Sequence, residues 1–400
     1  MEFKNLKIGI LPNSFLKSDG TFDKDNALIL SGKIAGVCYD KEGFQHLENE
    51  PLEKTMKRID LTLNNGHHSV YDHINISFNL QNIPKILAMV LNNEHQYTTS
   101  EKSARYTPIV RTDDSIITTE EEQLYKKWLE IFKVKIKQRY GSVYDDKKIQ
   151  KLAQENARYL VTTFAPTQMI YTTSLRQINY LASYMEKYIE DANKDNSFEQ
   201  KLSLAMQAFI EQLDDTNVLV DGLMKNEKHR SLSLFGNNLD EKKDYFGDVY
   251  QTTYKASFAQ LAQAQRHRTL NYQIQVLDDK EYFVPPIIAS DDALVWEWLN
   301  DMDKVKGVNP QGELVYVCET GEYKNFILKC KERLCTNAQL EIMNQTKETL
   351  ANYKKALEDS GSVLAQDIEQ YSHGARCTFK DFDCSCDCKF KEGKRLIREI

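Results

Sequence analysis

The sequence predicts an α/β protein, rich in helices and built as two successive parts. Three observations carry that reading. Long stretches repeat apolar residues at three- to four-residue spacing between polar loops, a short stretch alternates apolar with polar residues, and beyond about residue 247 the order of features begins again. The 400 residues are 41% hydrophobic and 28% charged, a balance that can build sizeable cores and divides, by size, into two or three domains. Apolar runs such as 83–90 are far shorter than the roughly 20 residues that cross a bilayer. The start Met1-Glu2-Phe3-Lys4-Asn5 lacks the continuous apolar core of a signal peptide, so a cytoplasmic protein with no membrane partner is expected. A formal charge of -7 argues against a protein that coats nucleic acid and favours small anionic ligands held in local basic pockets.

Element by element, the apolar start at 7–11 leads to helical spacing over 26–39 and over 51–63, where Leu52, Met56 and Ile59 recur at three to four residues. Gly66-His67-His68-Ser69 breaks that pattern. Ile74, Ile76 and Phe78 alternate with polar neighbours as a strand would, and Pro84 opens a helix where its missing N–H costs nothing. The segment 96–106 reads as a loop. Helical patterns resume over 120–138, 148–161, 168–190 and 199–224, with a polar break at 191–196. Two aperiodic polar runs place the joint between the parts at 225–247, giving expected domains 1–225 and 226–400. Beyond it, 251–269 and 322–357 read as helices.

Two segments concentrate binding chemistry. Glu101, Ser103 and Arg105 alternate, so on extended chain they point one way and offer an acceptor, a hydroxyl and a guanidinium to one planar polar ligand. Gln263, Arg266, His267 and Arg268 crowd a short helical segment whose donors suit a phosphate-bearing partner. Of the eight cysteines, Cys38, Cys318, Cys330 and Cys335 read as buried small hydrophobes. Cys377, Cys384, Cys386 and Cys388 lie within twelve residues. Four thiolates can close a tetrahedral zinc site, although Cys-x-Cys-x-Cys is tighter than the usual spacing; a redox role or a reduced tail are the other readings.

Several motifs in order resemble the flavin-dependent thymidylate synthases. That family's pattern is Gly-His-x-Ser/Thr-x-x-Glu-His, then Arg-His-Arg-x-x-Ser-x-Asn-Glu-x-Ser-x-Arg-Tyr. This chain has Gly66-His67-His68-Ser69-Val70-Tyr71-Asp72-His73, then Ser100-Glu101-Lys102-Ser103-Ala104-Arg105-Tyr106, Arg158 in Asn-Ala-Arg-Tyr-Leu, and Thr173-Ser174-Leu175-Arg176. Later, Gln263-Ala264-Gln265-Arg266-His267-Arg268 resembles the family helix, and Arg333-Leu334-Cys335-Thr336-Asn337-Ala338-Gln339-Leu340-Glu341-Ile342 resembles its Arg-x4-Ala-Gln-x-Glu-Ile.

The departures are reciprocal. The earlier part has Asn93-Glu94-His95 in place of Arg-His-Arg and Met185 in place of the late Arg; the later part has Ile274, Val276 and Asp278 in place of the Glu, Ser and Arg of the loop. The resemblance therefore implies two divergent copies of one domain, each keeping what the other lost, in a chain that pairs as a homodimer. It implies transfer of a one-carbon unit from methylenetetrahydrofolate to C5 of dUMP, with FAD as cofactor and NADPH as reductant. Glu101, Ser103, Arg105, Arg158, Gln263, Arg266 and Arg333 would meet the nucleotide. Arg105, Ser103 and Arg266 would act in the chemistry, and His67, Ser69, Ser174, Arg176, His267 and Arg268 would border the flavin. Ser174 stands where the family has Asn and Tyr180 where it has His. Another pyrimidine substrate, or a nucleotide-binding protein without activity, are the alternatives.

Overall fold

Strand-forming segments with alternating burial build two sheets of the same plan. The computed structural model describes residues 2–12, 15–103, 109, 111, 115–225, 230–382, 384, 388 and 398–400. In the first sheet β1 (Lys7–Ile10), β2 (Asn75–Pro84), β3 (Thr98–Glu101) and β4 (Pro166–Ser174) lie in the order β1-β2-β4-β3, all antiparallel. In the second, β5 (Tyr245–Phe246), β6 (Val249–Ser257), β7 (Asn271–Val276) and β8 (Leu314–Glu322) lie in the order β5-β6-β8-β7, again antiparallel. Ile76, Phe78 and Leu80 bury one face of β2, as Tyr272 and Ile274 do in β7.

Contacts divide the chain into two units, Met1–Lys102 with Pro166–Leu232 and Ser103–Ala165 with Ser233–Ile400. The later boundary falls within the 225–247 joint expected from sequence. The stretch 103–165, however, joins the second unit, so contact units and motif repeats do not share one cut.

The first unit carries α1 (Lys24–Gly36), α2 (Phe44–Glu48), α3 (Leu52–Asn64) and α4 (Lys85–Leu91). The second takes up α5 (Thr119–Tyr140) and α6 (Asp146–Ala157), after which α7 (Leu175–Asp191), α8 (Ser197–Asp215) and α9 (Asp221–Met224) return to the first. The remainder of the second unit carries α10 (Phe258–Ala264), α11 (Asp292–Lys304), α12 (Tyr323–Arg333), α13 (Leu340–Asp359) and α14 (Leu364–Glu369). Its α5 opens on a capping box: the Thr118 hydroxyl accepts from Glu121 N–H at 3.2 Å and the Glu121 carboxylate accepts from Thr118 N–H at 2.7 Å. Inside, Trp128 meets Trp298 edge-on at 4.8 Å, and both indole N–H groups are satisfied, by Asp301 at 2.9 Å and by the Phe283 carbonyl at 2.8 Å.

Register fixes which residues correspond. Thr98 faces Thr172 in the first sheet as Asn271 faces Thr320 in the second. The seven-residue α4 follows β2 directly, as the seven-residue α10 follows β6. Asn93-Glu94-His95 therefore occupies the place of Arg266-His267-Arg268. Likewise α7 follows β4 and α12 follows β8, which sets Met185 against Arg333, the last residue of α12.

Several sequence expectations need correction. The stretch 168–190 is not one helix but β4 followed by α7, and 251–269 begins as β6 before α10. In both, Thr, Tyr, Val and Ile of strand character run without a break into a helical apolar pattern, so the switch of period is hidden. The stretch 322–357 divides into α12 and α13, 199–224 divides into α8 and α9, and β3 lies within the expected loop 96–106. Cys38 is exposed rather than buried, because α1 ends two residues before it. Cys318 and Cys330 are buried as expected.

Candidate functional site

The second unit gathers polar side chains from distant parts of the sequence around the C-terminal end of α10. Seven residues of α10 start at the N-cap Ser257, whose hydroxyl accepts from Gln260 N–H at 3.1 Å. The Ser257 hydroxyl donates in turn to Glu341 Oε2 at 2.7 Å, and its N–H donates to Glu341 Oε1 at 2.8 Å. Glu341 thus ties the start of α10 to the first turn of α13. Tyr159 completes this layer by donating to Glu341 at 2.9 Å. Burial pushes the Glu341 carboxyl above its ordinary value, against the bonds from Ser257 and Tyr159.

One turn on, Gln263 is buried and its side-chain oxygen accepts from the Gln339 N–H at 3.0 Å. The Gln339 side chain accepts from Arg158 Nη2 at 2.8 Å and donates to the Tyr159 hydroxyl. Arg158 lies in a short 3-10 turn, Arg158–Leu160, directly after α6. A guanidinium from before β4 is thereby fixed against Gln339, from beyond β6.

Arg333 meets the same helix end. Its Nε donates to His267 Nε2 at 2.6 Å and its Nη2 to the Gln263 carbonyl at 3.3 Å. The His267 side chain is 1% exposed. Burial first, then the charges of Arg333 and Lys329, push its pKa down to about 2. The ring is therefore neutral and serves as an acceptor that orients Arg333. Arg266 and Arg268, on either side of His267, are exposed. Deeper in the unit, Lys329 and Glu319 form a fully buried ion pair at 2.6 Å, with Tyr250 and Tyr254 each donating to Glu319 at 2.7 Å.

The first unit presents a different surface at corresponding positions. Glu94, in the place of His267, is buried and pairs with Arg230, whose guanidinium lies 4.7 Å from the centre of the Tyr184 ring. A cavity of about 390 Å³ opens beside it, lined among others by Asp72, His95, Tyr97, Ser174, Arg176 and Gln177. Ser174 caps α7 by accepting from Gln177 N–H at 3.0 Å, and its hydroxyl donates to Asp72 at 2.7 Å. Arg176 donates to the other Asp72 oxygen at 2.5 Å and lies 5.1 Å from the Tyr180 ring centre. His95 stacks on Tyr97 at 5.8 Å and 15°, and Tyr97 stacks on Tyr171 at 5.6 Å and 18°.

Of the residues expected from sequence, Arg158, Gln263, His267 and Arg333 come together, as do Ser174 and Arg176. His67 and Ser69 are exposed at the turn before β2, whereas the adjacent His68 is buried between the Tyr180 hydroxyl at 2.8 Å and the Leu63 carbonyl at 3.0 Å. Glu101 ends β3 with its carboxylate held by Lys85. Ser103 is half-buried, and Arg105 lies outside the described residues. Cys377, Cys384 and Cys388 are half-buried, Cys386 lies outside the described residues, and no group of three or more metal-binding side chains occurs among the described residues. The sequence reading assigned no role to Tyr159, Ser257, Gln339, Glu341 or Asp72. Tyr159, Gln339, Glu341 and Asp72 sat within matched motifs, and that was their signal; Ser257 had none.

Residues 23–194 match the family described as "Thymidylate synthase complementing protein". The flavin-dependent thymidylate synthase of Pyrococcus furiosus is 23% identical over 150 residues, 36% of this chain and 57% of that protein. Its counterpart in Thermococcus onnurineus is 22% identical over 148 residues, with the same coverage. The chain thus spans 57% of the length of these curated relatives. Among solved structures, thymidylate synthase X of Helicobacter pylori with FAD and dUMP aligns at a TM-score of 0.32 and 15% identity, covering 55% of this chain and all of that one. The UMP/dUMP methylase PolB of Streptomyces cacaoi aligns at 0.28 and 15%, covering 44% and 77%. The sequence matches link this chain at family level to the flavin-dependent thymidylate synthases.

Proposed function

We propose that this chain is a flavin-dependent enzyme that transfers a one-carbon unit from methylenetetrahydrofolate to C5 of dUMP, with NADPH as reductant. The observation that supports it most is a chain of contacts: Arg158, from before β4, donates to the Gln339 side chain, the Gln339 N–H donates to the Gln263 side chain, and the Gln263 carbonyl accepts from Arg333. A nucleotide phosphate needs several fixed positive donors, and guanidinium groups already held by neutral acceptors lose little freedom on binding it. Arg333 and Arg158, with Arg266 at the exposed helix end, would hold the phosphate, and Gln263 would orient the sugar and base. Arg105 and Ser103 would face the uracil, where the guanidinium can stabilise charge on a carbonyl as the ring becomes enolate-like. Glu101 would accept from the sugar or orient an arginine.

The cavity of the first unit combines ring faces, hydroxyls and one guanidinium, a donor set that fits a group part planar ring and part phosphate. FAD is such a group. Ser174, Arg176 and Gln177 would hold it here, with His67 and Ser69 as the further contacts of this unit that the resemblance suggests. When bound, FAD supplies the hydride that completes the methyl group. Another pyrimidine nucleotide is the runner-up substrate. The burial of Glu94 under Arg230 in place of a cationic motif favours a third reading, a nucleotide-binding protein that has lost turnover.

Deuterium carried from labelled reductant into the C5 methyl of product is the expected outcome with dUMP; bound FAD and dUMP with no product defeats the synthase. Replacing Arg105 or Arg266 by Ala is expected to weaken dUMP binding by roughly 1.5–3 kcal/mol, non-additively, since both would hold one ligand. A homodimer is expected by light scattering at micromolar concentration. Cys377, Cys384, Cys386 and Cys388 are proposed to hold zinc that staples the C-terminal segment. Anaerobically purified protein without stoichiometric metal rejects that assignment.

A further inference from the structure

The cavity in the first unit carries an arrangement that none of the matched motifs describes. Tyr171, Tyr97 and His95 form a ladder of three nearly parallel rings, with neighbouring planes inclined by 18° and 15°. Its base is anchored: the Tyr171 hydroxyl donates to the Leu91 carbonyl at 3.3 Å, and the Tyr97 hydroxyl donates to the Asn92 carbonyl. Tyr171 is buried, Tyr97 is half-buried and His95 is exposed, so the ladder climbs from the core and ends at a ring in the cavity lining. A planar group stacked on a rigid support loses little entropy and removes two apolar faces from water.

The second unit has no such ladder at the corresponding positions. Leu270 stands in the place of Tyr97 and is buried against Gly321, where even a Cβ would meet its side chain at 2.4 Å; Glu319 stands in the place of Tyr171, and Arg268 in the place of His95. Among the described residues, the ladder of stacked rings thus occurs in the first unit and not at the corresponding positions of the second. The rest of its cavity offers the groups that a nucleotide carries partners for. Arg176 can meet a phosphate, and Asp72, which shares its two oxygens between Ser174 and Arg176, can accept from a ribose hydroxyl.

We propose that His95 is a stacking residue for a planar heteroaromatic ring of the bound cofactor, completing a fourth rung on the Tyr171–Tyr97–His95 ladder while Arg176 meets its phosphate. The proposal rests on the flavin reading above and adds a binding residue to it. FAD has two planar ends, the isoalloxazine and the adenine, and both offer the same stacking chemistry.

The test is equilibrium binding of FAD, FMN and ADP to the full chain, read by flavin fluorescence for the first two and by calorimetry for ADP. His95→Ala is compared with His95→Phe and Arg176→Ala; His95 is exposed, so its substitutions leave the core intact. His95→Ala is expected to weaken FAD binding by about tenfold, within the range for a lost aromatic stack, and His95→Phe to restore most of it. The loss appears with FMN if the isoalloxazine is the fourth rung and with ADP if the adenine is. Unchanged FAD, FMN and ADP affinities in His95→Ala, alongside weakened binding in Arg176→Ala, overturn the stacking role and leave the flavin reading standing. Failure of the wild-type chain to bind FAD overturns both.

Discussion

The helix end after β2 and the helix end after β6 hold the same place in two sheets of the same strand order, and they have opposite electrostatics. After α10, a neutral buried His267 lies between Arg266 and Arg268 and orients Arg333. After α4, a buried Glu94 takes the place of His267, Met185 takes the place of Arg333, and the compensating cation is Arg230 from the far end of the unit. The Glu94 carboxylate, paired by Arg230, thus stands where the second unit has a neutral imidazole between two exposed arginines. The cavity beside it survived, with Ser174 and Arg176. The two units share strand order and register and differ in the side chains at these places.

The comparison can be broken first at the buried ion pair found in the second sheet. Lys329 and Glu319 are both fully buried, and the first unit has Leu181 and Tyr171 at their places. Lys329→Met leaves an uncompensated carboxylate and is expected to cost roughly 3–5 kcal/mol in chemical denaturation. Adding Glu319→Gln should recover most of that loss. A double variant no more stable than the single one would mean that packing, and not charge, sets the cost.

The neutral His267 gives the next effect. Its folded-state pKa is depressed from 6.5 to about 2, so its contribution to stability is fully present above pH 6.5 and is lost as pH falls toward 2. Linkage puts the loss between pH 7 and pH 4 at roughly 3 kcal/mol. The stability curve of His267→Gln should be flatter by about that amount over this range, measured by urea titration at each pH. Parallel curves for the two proteins would remove the neutral-acceptor role.

Smaller effects distinguish the two helix ends as ligand sites. Arg158→Ala and Arg333→Ala should each weaken dUMP binding by roughly 1.5–3 kcal/mol, and together by less than the sum. Asn93→Ala, at the place of Arg266 in the unit that lost the motif, should change dUMP affinity by less than about 0.5 kcal/mol. Equal effects at Asn93 and Arg266 would show that the copies have not specialised.

Much of this contrast was legible in the sequence. The Arg158, Gln263 and Arg333 positions could be read from ordered motifs, and the reciprocal losses at Asn93-Glu94-His95 and Met185 could be counted. Residues that hold those groups were harder to find. Tyr159 and Ser257 act through contacts across 182 and 84 residues of sequence, and no local spacing reports a bond of that range. His67 is exposed at the N-cap of the 3-10 turn His68–His73 and His68 is buried within it, a difference that the spacing of two adjacent histidines does not report. Strands β4 and β6 were hidden because each runs into its helix without an intervening loop. In β8, the buried Glu319 interrupts the apolar alternation that would have marked a strand.

A single extra residue in β2 has a further consequence. Between Leu80 and Ile83 the pairing with β4 shifts, and Asn82 adopts a left-handed φ of 55° with its side chain donating to the Asn5 carbonyl at 2.9 Å. The pairing of β6 with β8 runs without such a shift from Val249 to Ser257. Because side chains alternate between faces, the extra residue is what lets Leu80 and Ile83, three apart in β2, both be buried. Strands β2 and β6 therefore cross their partners with different residue counts, a difference between the two sheets that their common strand order does not show.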